Sequence, residues 1–226
     1  MPAQEQALTG KAPVGIDPRH VHLTQEHFGL LFGAQAKPRR LKGVRQPGYF
    51  AGWETVKLIG PKGEIEHARV VHPWRPVTQV EVTRTDAIAL GIKAPLRKSG
   101  DVAGSAAIIL VGPAGTLELK EGCIVAWRHI HMSAEEARSL GLGPNDFVRI
   151  KAGDGSGREV IFEYVWVRAA PWYCLEFHLD TDEANAAGLK GVEEIEILGR
   201  QEAPANYREF FPEEYETPGW RDLVKK

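Results

Sequence analysis

The sequence predicts a mostly β fold with short α-helices: two similar small β-barrel domains related by an internal pseudo-repeat, each capped by short helices. Three observations carry this expectation. Four stretches share one pattern: His20-Val21-His22-Leu23-Thr24, Gln79-Val80-Glu81-Val82-Thr83, His129-Ile130-His131-Met132-Ser133 and Glu176-Phe177-His178-Leu179-Asp180. Each is a strand-like run, then a Thr, Ser or Asp suited to N-capping, then a helical segment that ends near a glycine. A hairpin turn is also written twice, as Gly60-Pro61-Lys62-Gly63 and Gly112-Pro113-Ala114-Gly115, each time between apolar runs. The units recur every ~50 to 60 residues, a spacing for which two similar halves are the natural assembly.

Taken in order, residues 1–13 are polar and expected to be a flexible N-terminus, and Val14-Gly15-Ile16 opens the ordered part. The first barrel half is expected over 14–100. In it Thr24 caps a helix from Gln25, residues 37–48 form a basic loop, strands run over 55–59 and 66–71, and Thr83 caps a short helix from Asp86 to Leu90 that Gly91 ends. The second half is expected over 101–199, with a boundary near 93–105 across which strands can exchange. It opens with strands over 106–111 and 116–119. Ser133 then caps a helix, Glu136 completes a capping box and Gly141 stops it. Strands over 147–151, 159–167 and 172–177 follow, and Asp180 with Glu183 repeats the box before Gly188. The pattern stops after Leu198. Residues 200–226 form a C-terminal extension whose Tyr207, Phe210, Phe211, Tyr215 and Trp220 need a surface to cover.

Composition narrows the function classes. The chain has 226 residues, 43% hydrophobic and 26% charged, which is ordinary for a globular protein with a sizeable core. A net charge of −2 gives no global pull toward nucleic acid or anionic lipid, so an anionic substrate must be held by local arginines. No apolar run approaches the ~20 residues of a membrane span, and the start carries no signal-peptide core. The expected place is the cytoplasm, with neither membrane nor nucleic acid as partner. Cys123 and Cys174 lie in apolar runs without C-x-x-C spacing, so they are expected as small buried hydrophobes and not as a disulfide.

Five of the eight histidines fall in the shared pattern; only His27, His67 and His72 lie outside it. Residues two apart in a strand point to one face, so His20 with His22, and His129 with His131, each present two imidazoles side by side. A lone H-x-H is ordinarily a strand-surface feature. Here two such pairs stand in the same setting, each preceded by an arginine (Arg19, Arg128) and followed by a hydrophobe and a capping hydroxyl. With Glu81 and His178 at the matching third position, six candidate ligands suit two three-ligand metal sites.

Together Val14-Gly15-Ile16, Arg19-His20-Val21-His22-Leu23, Thr78-Gln79-Val80-Glu81, Ala94-Pro95-Leu96-Arg97-Lys98-Ser99-Gly100-Asp101, Arg128-His129-Ile130-His131-Met132 and His178-Leu179-Asp180-Thr181-Asp182-Glu183-Ala184-Asn185-Ala186 resemble the PduL-type phosphotransacylases, or phosphate propanoyltransferases, over residues 13–198. The resemblance implies transfer of a propionyl or acetyl group between coenzyme A and inorganic phosphate, at a two-zinc site between two β-barrels. It places one zinc on His20, His22 and Glu81 and the other on His129, His131 and His178, and assigns phosphate to Arg75. It further implies a homodimer and a place inside a bacterial microcompartment, beside its shell and an aldehyde dehydrogenase that makes the acyl-CoA. Two departures, Asp17-Pro18 and Trp74, bear on acyl preference and leave every proposed ligand in place.

A three-ligand zinc keeps a position open for a phosphate oxygen, and the fork of a guanidinium matches two phosphate oxygens at once. Arg19, Arg97 and Arg128 are further candidates for the coenzyme A phosphates or the tetrahedral oxyanion, or else form structural ion pairs. No Cys, Ser or Lys stands beside the histidines with a base at a suggestive spacing, so phosphate is expected to attack directly. Cys123 is a minor candidate nucleophile or ligand. Two alternatives stay open on the residues alone. One is a dinuclear zinc hydrolase, although the ~250-residue barrel that usually carries that motif is missing. The other is a zinc-stapled binding module, in which Glu176 or Gln79 would close the sites with a fourth ligand.

Overall fold

The computed structural model describes the chain from Ala7 to Ala205. It contains strands β1 (Ala7–Asp17), β2 (His20–His22), β3 (Arg40–Gly43), β4 (Phe50–Ile59), β5 (Glu64–His72), β6 (Gln79–Glu81), β7 (Leu96–Arg97), β8 (Ala106–Val111), β9 (Thr116–Ala126), β10 (His129–Met132), β11 (Phe147–Ala152), β12 (Val160–Ala169), β13 (Glu176–Asp180) and β14 (Glu194–Gln201). Four short helices are α1 (Gln25–Phe32), α2 (Arg84–Leu90), α3 (Ala134–Ser139) and α4 (Thr181–Ala186). The fold is mostly β, as expected, and divides into two units: Asp17–Ala126, and the chain up to Ile16 together with the chain from Trp127.

In the first unit β4, β5, β2, β6, β9 and β8 pair in that order and β8 returns to β4, which closes a six-stranded ring; β3 flanks β4 and β7 flanks β9. In the second unit β1, β13, β10, β12, β11 and β14 form a closed six-stranded barrel. Closure leaves no open sheet edge in either ring. Each has its own apolar core, the first around Phe28, Leu58, Leu110 and Val125 and the second around Ile130, Phe147's neighbour Val148, Phe177 and Ile197.

The two rings repeat one another in detail. The histidine strands β2 and β10 each lie between a parallel neighbour and an antiparallel one, with His20 opposite Arg69 and Glu81, and His129 opposite Trp166 and His178. Val21 and Ile130, between the histidines of each pair, are fully buried in the cores, as a period of two demands. His67 and Tyr164, two residues before Arg69 and Trp166, both have positive φ (61° and 55°), so the same local bend is built into each parallel neighbour. The duplicated hairpin turns also have one job. The amides of Lys62 and Ala114 donate to the last-turn carbonyls of Leu90 in α2 and Leu31 in α1 (3.0 and 2.9 Å). A Cβ on Gly60 or Gly112 would lie 2.3 Å from those carbonyls, so the close approach requires glycine.

The four caps form where the pattern places them, but the box expected at Asp180 with Glu183 is not completed. Thr24, Thr83, Ser133 and Asp180 accept from His27, Asp86, Glu136 and Glu183 amides, with full capping boxes at Thr83 and Ser133. At α4 the Glu183 carboxylate goes instead to Arg128.

Several boundaries are corrected. Residues 7–13 belong to β1, held by Pro13–Ala7 pairing along Glu194–Gly199 of β14. The division falls at Ala126/Trp127 and not near 93–105, because the β8–β9 hairpin pairs back on β4 and β6 to complete the first ring. β1, which runs into the first histidine strand, pairs within the second barrel. Within the expected 37–48 loop, β3 pairs with β4. The strand expected over 172–177 begins only at Glu176, since Tyr173 N turns back to Ala170 O (3.1 Å). Gln201 still belongs to β14, its amide bonding Glu163 and Tyr164. The aromatic residues of the extension lie outside the described residues.

Candidate metal centres

In the first barrel, antiparallel pairing of β2 with β6 sets His20 opposite Glu81 and His22 opposite Gln79. His20 Nδ1 lies 2.9 Å from Pro18 O and His22 Nδ1 3.2 Å from Val71 O. Carbonyls only accept, so both Nδ1 carry the proton and both Nε2 keep a lone pair. Those two nitrogens face each other at 3.2 Å, with Glu81 Oε2 3.6 Å from one and Oε1 3.8 Å from the other. All three ligating atoms fall within 4.8 Å of one another. Two lone pairs and a carboxylate turned on one point repel unless a cation sits among them, so this donor set fits a divalent metal of the zinc type.

A hydrogen-bonded shell holds this triad. Glu81 Oε1 accepts from Gln79 Nε2 (2.5 Å) and Ser99 Oγ (2.8 Å), and Gln79 Oε1 accepts from the Gly100 amide (2.6 Å). Ser99 Oγ in turn accepts from an Arg75 guanidinium nitrogen at 3.0 Å. Arg75 itself is placed by its amide bond to Leu23 O, one residue past the histidine strand. One hydroxyl thus joins the proposed metal-ligating carboxylate to the proposed phosphate-binding guanidinium.

The second barrel repeats the frame with a different third residue. His129 Nδ1 bonds Trp127 O (2.9 Å) and the Nε2 atoms of His129 and His131 are 3.1 Å apart. The His178 ring stacks parallel on His129 at 5.1 Å and edge-on to His131 at 4.9 Å. Its Nε2 is held 2.9 Å from Glu176 Oε2. Among the described residues the His20–His22–Glu81 group is the one whose three ligating atoms close to within 4.8 Å; the second trio converges at the level of its rings. Tyr173 packs on His131, ring centroids 4.1 Å apart, and its hydroxyl is 3.1 Å from an Arg168 guanidinium that lies over the Trp166 and Tyr173 rings.

The other candidate arginines each lie beside a carboxylate. Arg19 is bound to Asp86 at 2.7 and 2.9 Å, and Arg128, at the matching place, to Glu183 and to Glu163 O (2.9 Å). Both thus form the ion pairs that were one of the two roles open to them. Burial pushes the Glu183 carboxyl up, and Arg128 pulls it partly back. Arg97 sits 3.7 Å from Asp101, whose carboxyl is also raised by burial. Cys123 is fully buried and its thiol is pushed up to about 12, which removes it as a nucleophile; Cys174 is only partly buried, against expectation, because it lies in the turn before β13.

The sequence profile described as phosphate propanoyltransferase matches residues 13–190. A phosphate propanoyltransferase of Thermotoga maritima is 47% identical over 82% of this chain and 88% of its own length. Those of Lachnoclostridium phytofermentans (45%, 86% and 91%) and Klebsiella pneumoniae (49%, 80% and 85%) are similar to the same extent. The chain belongs to the phosphate propanoyltransferase family. It is an acyltransferase, which sets aside the zinc-stapled binding module, and these comparisons give the hydrolase no support. The matched span contains both histidine clusters, Arg75 and Ser99. Among the described residues no helix is long and apolar enough to cross a membrane.

Sequence reasoning missed Ser99, Arg168 and Tyr173. A signal for Tyr173 was present: Pro171-Trp172-Tyr173 repeats Pro73-Trp74-Arg75, so Tyr173 stands where the first half has its phosphate-binding candidate.

Proposed function

We propose that this chain transfers a propionyl or acetyl group between coenzyme A and inorganic phosphate, with zinc held by His20, His22 and Glu81 and a second zinc by His129, His131 and His178. The observation that carries the reading is the Ser99 hydroxyl, which ties Arg75 to Glu81. A guanidinium, whose fork suits two phosphate oxygens, is thereby linked to the triad through two hydrogen bonds that share one hydroxyl. When bound, zinc supplies Lewis acidity at the reacting oxygens. Arg75 takes two phosphate oxygens and offsets the cost of bringing an anion to an electron-rich carbonyl. Ser99, donating to Glu81, keeps the guanidinium in place. Arg168, held by Tyr173 and two ring faces, offers a second guanidinium at the other cluster, for a phosphate or carbonyl oxygen as it gains charge.

A phosphate oxygen forms the new bond to the thioester carbon, the carbon–sulfur bond breaks, and coenzyme A leaves as thiolate. Direct attack is supported by the inert Cys123. Release of coenzyme A from propionyl-CoA and acetyl-CoA, followed with a thiol reagent with and without phosphate on protein of known zinc content, tests the reading. Phosphate-dependent release with about two zinc per chain is expected from two three-ligand sites. Release without phosphate would point to hydrolysis and refute it. The same reading carries a homodimer, and a cytoplasmic place inside a microcompartment beside an aldehyde dehydrogenase; light scattering and co-purification test these.

A further inference from the structure

The third ligand differs between the two centres, and so does the residue two positions before it. Register makes the comparison strict: Gln79 stands opposite His22 as Glu176 stands opposite His131. Both are buried, at 1% and 8% exposure. In the first barrel the ligand is a carboxylate, which only accepts, and its neighbour is an amide whose Nε2 donates to it at 2.5 Å. The end of that amide is not free to choose. Gly100 N donates to Gln79 Oε1 at 2.6 Å, so the NH2 must face Glu81. In the second barrel the ligand is an imidazole, and its neighbour is a carboxylate that accepts from it at 2.9 Å.

From this pairing we infer that Gln79 and Glu176 are matched positioning residues, each complementary to one type of third ligand, and that the ligand and its partner form an exchangeable two-residue unit. The inference rests on the two-centre reading above. Glu176 holds the Nε2–H of His178, fixes the ring plane and leaves the lone pair on the other nitrogen; Gln79 holds one carboxylate oxygen of Glu81 and leaves the second. Strand β1 supports the second unit from its own side. A Cβ on Gly15 would lie 3.0 Å from Glu176 Oε1 and 3.2 Å from His178 Cε1, so the backbone there packs directly on the pair. A partner that merely filled space would not need to change from amide to carboxylate as the ligand changes from Glu to His.

The test uses the full chain, zinc stoichiometry by mass spectrometry, zinc affinity by competition with a chromophoric chelator, and the visible spectrum of the cobalt-loaded protein. Wild-type protein should bind two zinc. Glu176→Met, similar in size but without an acceptor, should weaken one of the two by roughly 10- to 100-fold and change the cobalt spectrum, while Glu176→Gln, which keeps an acceptor oxygen, recovers most of the loss. Gln79→Met should weaken the other site by the same order. Glu81→His alone should lose zinc because an amide NH2 then faces the ring, and Glu81→His with Gln79→Glu should regain it. Melting of the chelated proteins should be alike, which separates positioning from folding. Equal zinc affinity in Glu176→Met and wild type would overturn the inference while leaving the centres standing. So would loss of one zinc in both Glu176→Met and Glu176→Gln, which would make Glu176 itself a ligand. A wild type that binds no zinc would instead overturn the two-centre reading.

Discussion

Arg19 decides whether the arginine in front of a histidine strand serves the fold or the substrate. Its guanidinium reaches Asp86 through two contacts of 2.7 and 2.9 Å, and the Asp86 side chain is only 5% exposed. Asp86 also closes the α2 capping box with Thr83. Arg19→Met would leave that carboxylate buried with only the capping amide. Breaking a fully buried pair costs roughly 3–5 kcal/mol. The Arg19 side chain is 40% exposed, so water already screens part of the attraction, and a cost of about 2 kcal/mol is the better expectation. For a chain of this size that lowers Tm by about 4–8 °C. Asp86→Asn in the same protein removes the stranded charge, keeps a capping oxygen and should recover about half of the loss. Thermal melts and steady-state kinetics on the same preparations check this. The kcat and both KM values should stay within about 3-fold of wild type. A KM for acyl-CoA raised tenfold with an unchanged Tm would refute the structural assignment and return Arg19 to the substrate.

Arg75→Lys keeps the charge but loses the fork, and should raise the KM for phosphate by roughly 10- to 100-fold with less effect on the KM for acyl-CoA, read from initial rates. Chelation should abolish turnover and lower Tm, and zinc should restore both. Burial raises the Glu183 carboxyl above its ordinary value near 4.5, so only between that value and the folded one does the folded protein hold a proton that the unfolded chain has lost. Its contribution is therefore most favourable below that value and declines as pH rises through the folded value; Glu183→Gln should flatten this part of a urea-denaturation series. Gly112→Ala would put a Cβ 2.3 Å from Leu31 O and should cost about 1–3 kcal/mol in the same measurement, with metal content unchanged.

Much of the architecture was legible because its signals are local. A period of two, a capping hydroxyl and a glycine stop lie within ten residues of each other, and each of the four repeats became a strand followed by a capped helix. The histidine pairs were legible for the same reason. What pairs with what is not local. Nothing in residues 7–17 says that they close a ring with Glu194–Gln201, and nothing in the β8–β9 hairpin says that it turns back on β4. The partners of the arginines were hidden in the same way: Arg19 and Arg128 look alike in sequence, and only the fold brings Asp86 and Glu183 to them. Ser99 sits 18 positions from Glu81, so its bridging hydroxyl could not be seen until the chain was folded.

The placement of β1 has a consequence for how the chain is made. Every strand of the first ring lies between His20 and Ala126, so that ring can close as soon as this stretch has left the ribosome. β1 is synthesised before all of it and must wait for β13 and β14, which follow more than 150 residues later. An eleven-residue strand with unpaired amides and carbonyls is an invitation to wrong partners, and Pro13 in its middle, which withholds one donor, is the kind of residue that blunts such an edge. The barrel that closes last is the one whose first strand was born first.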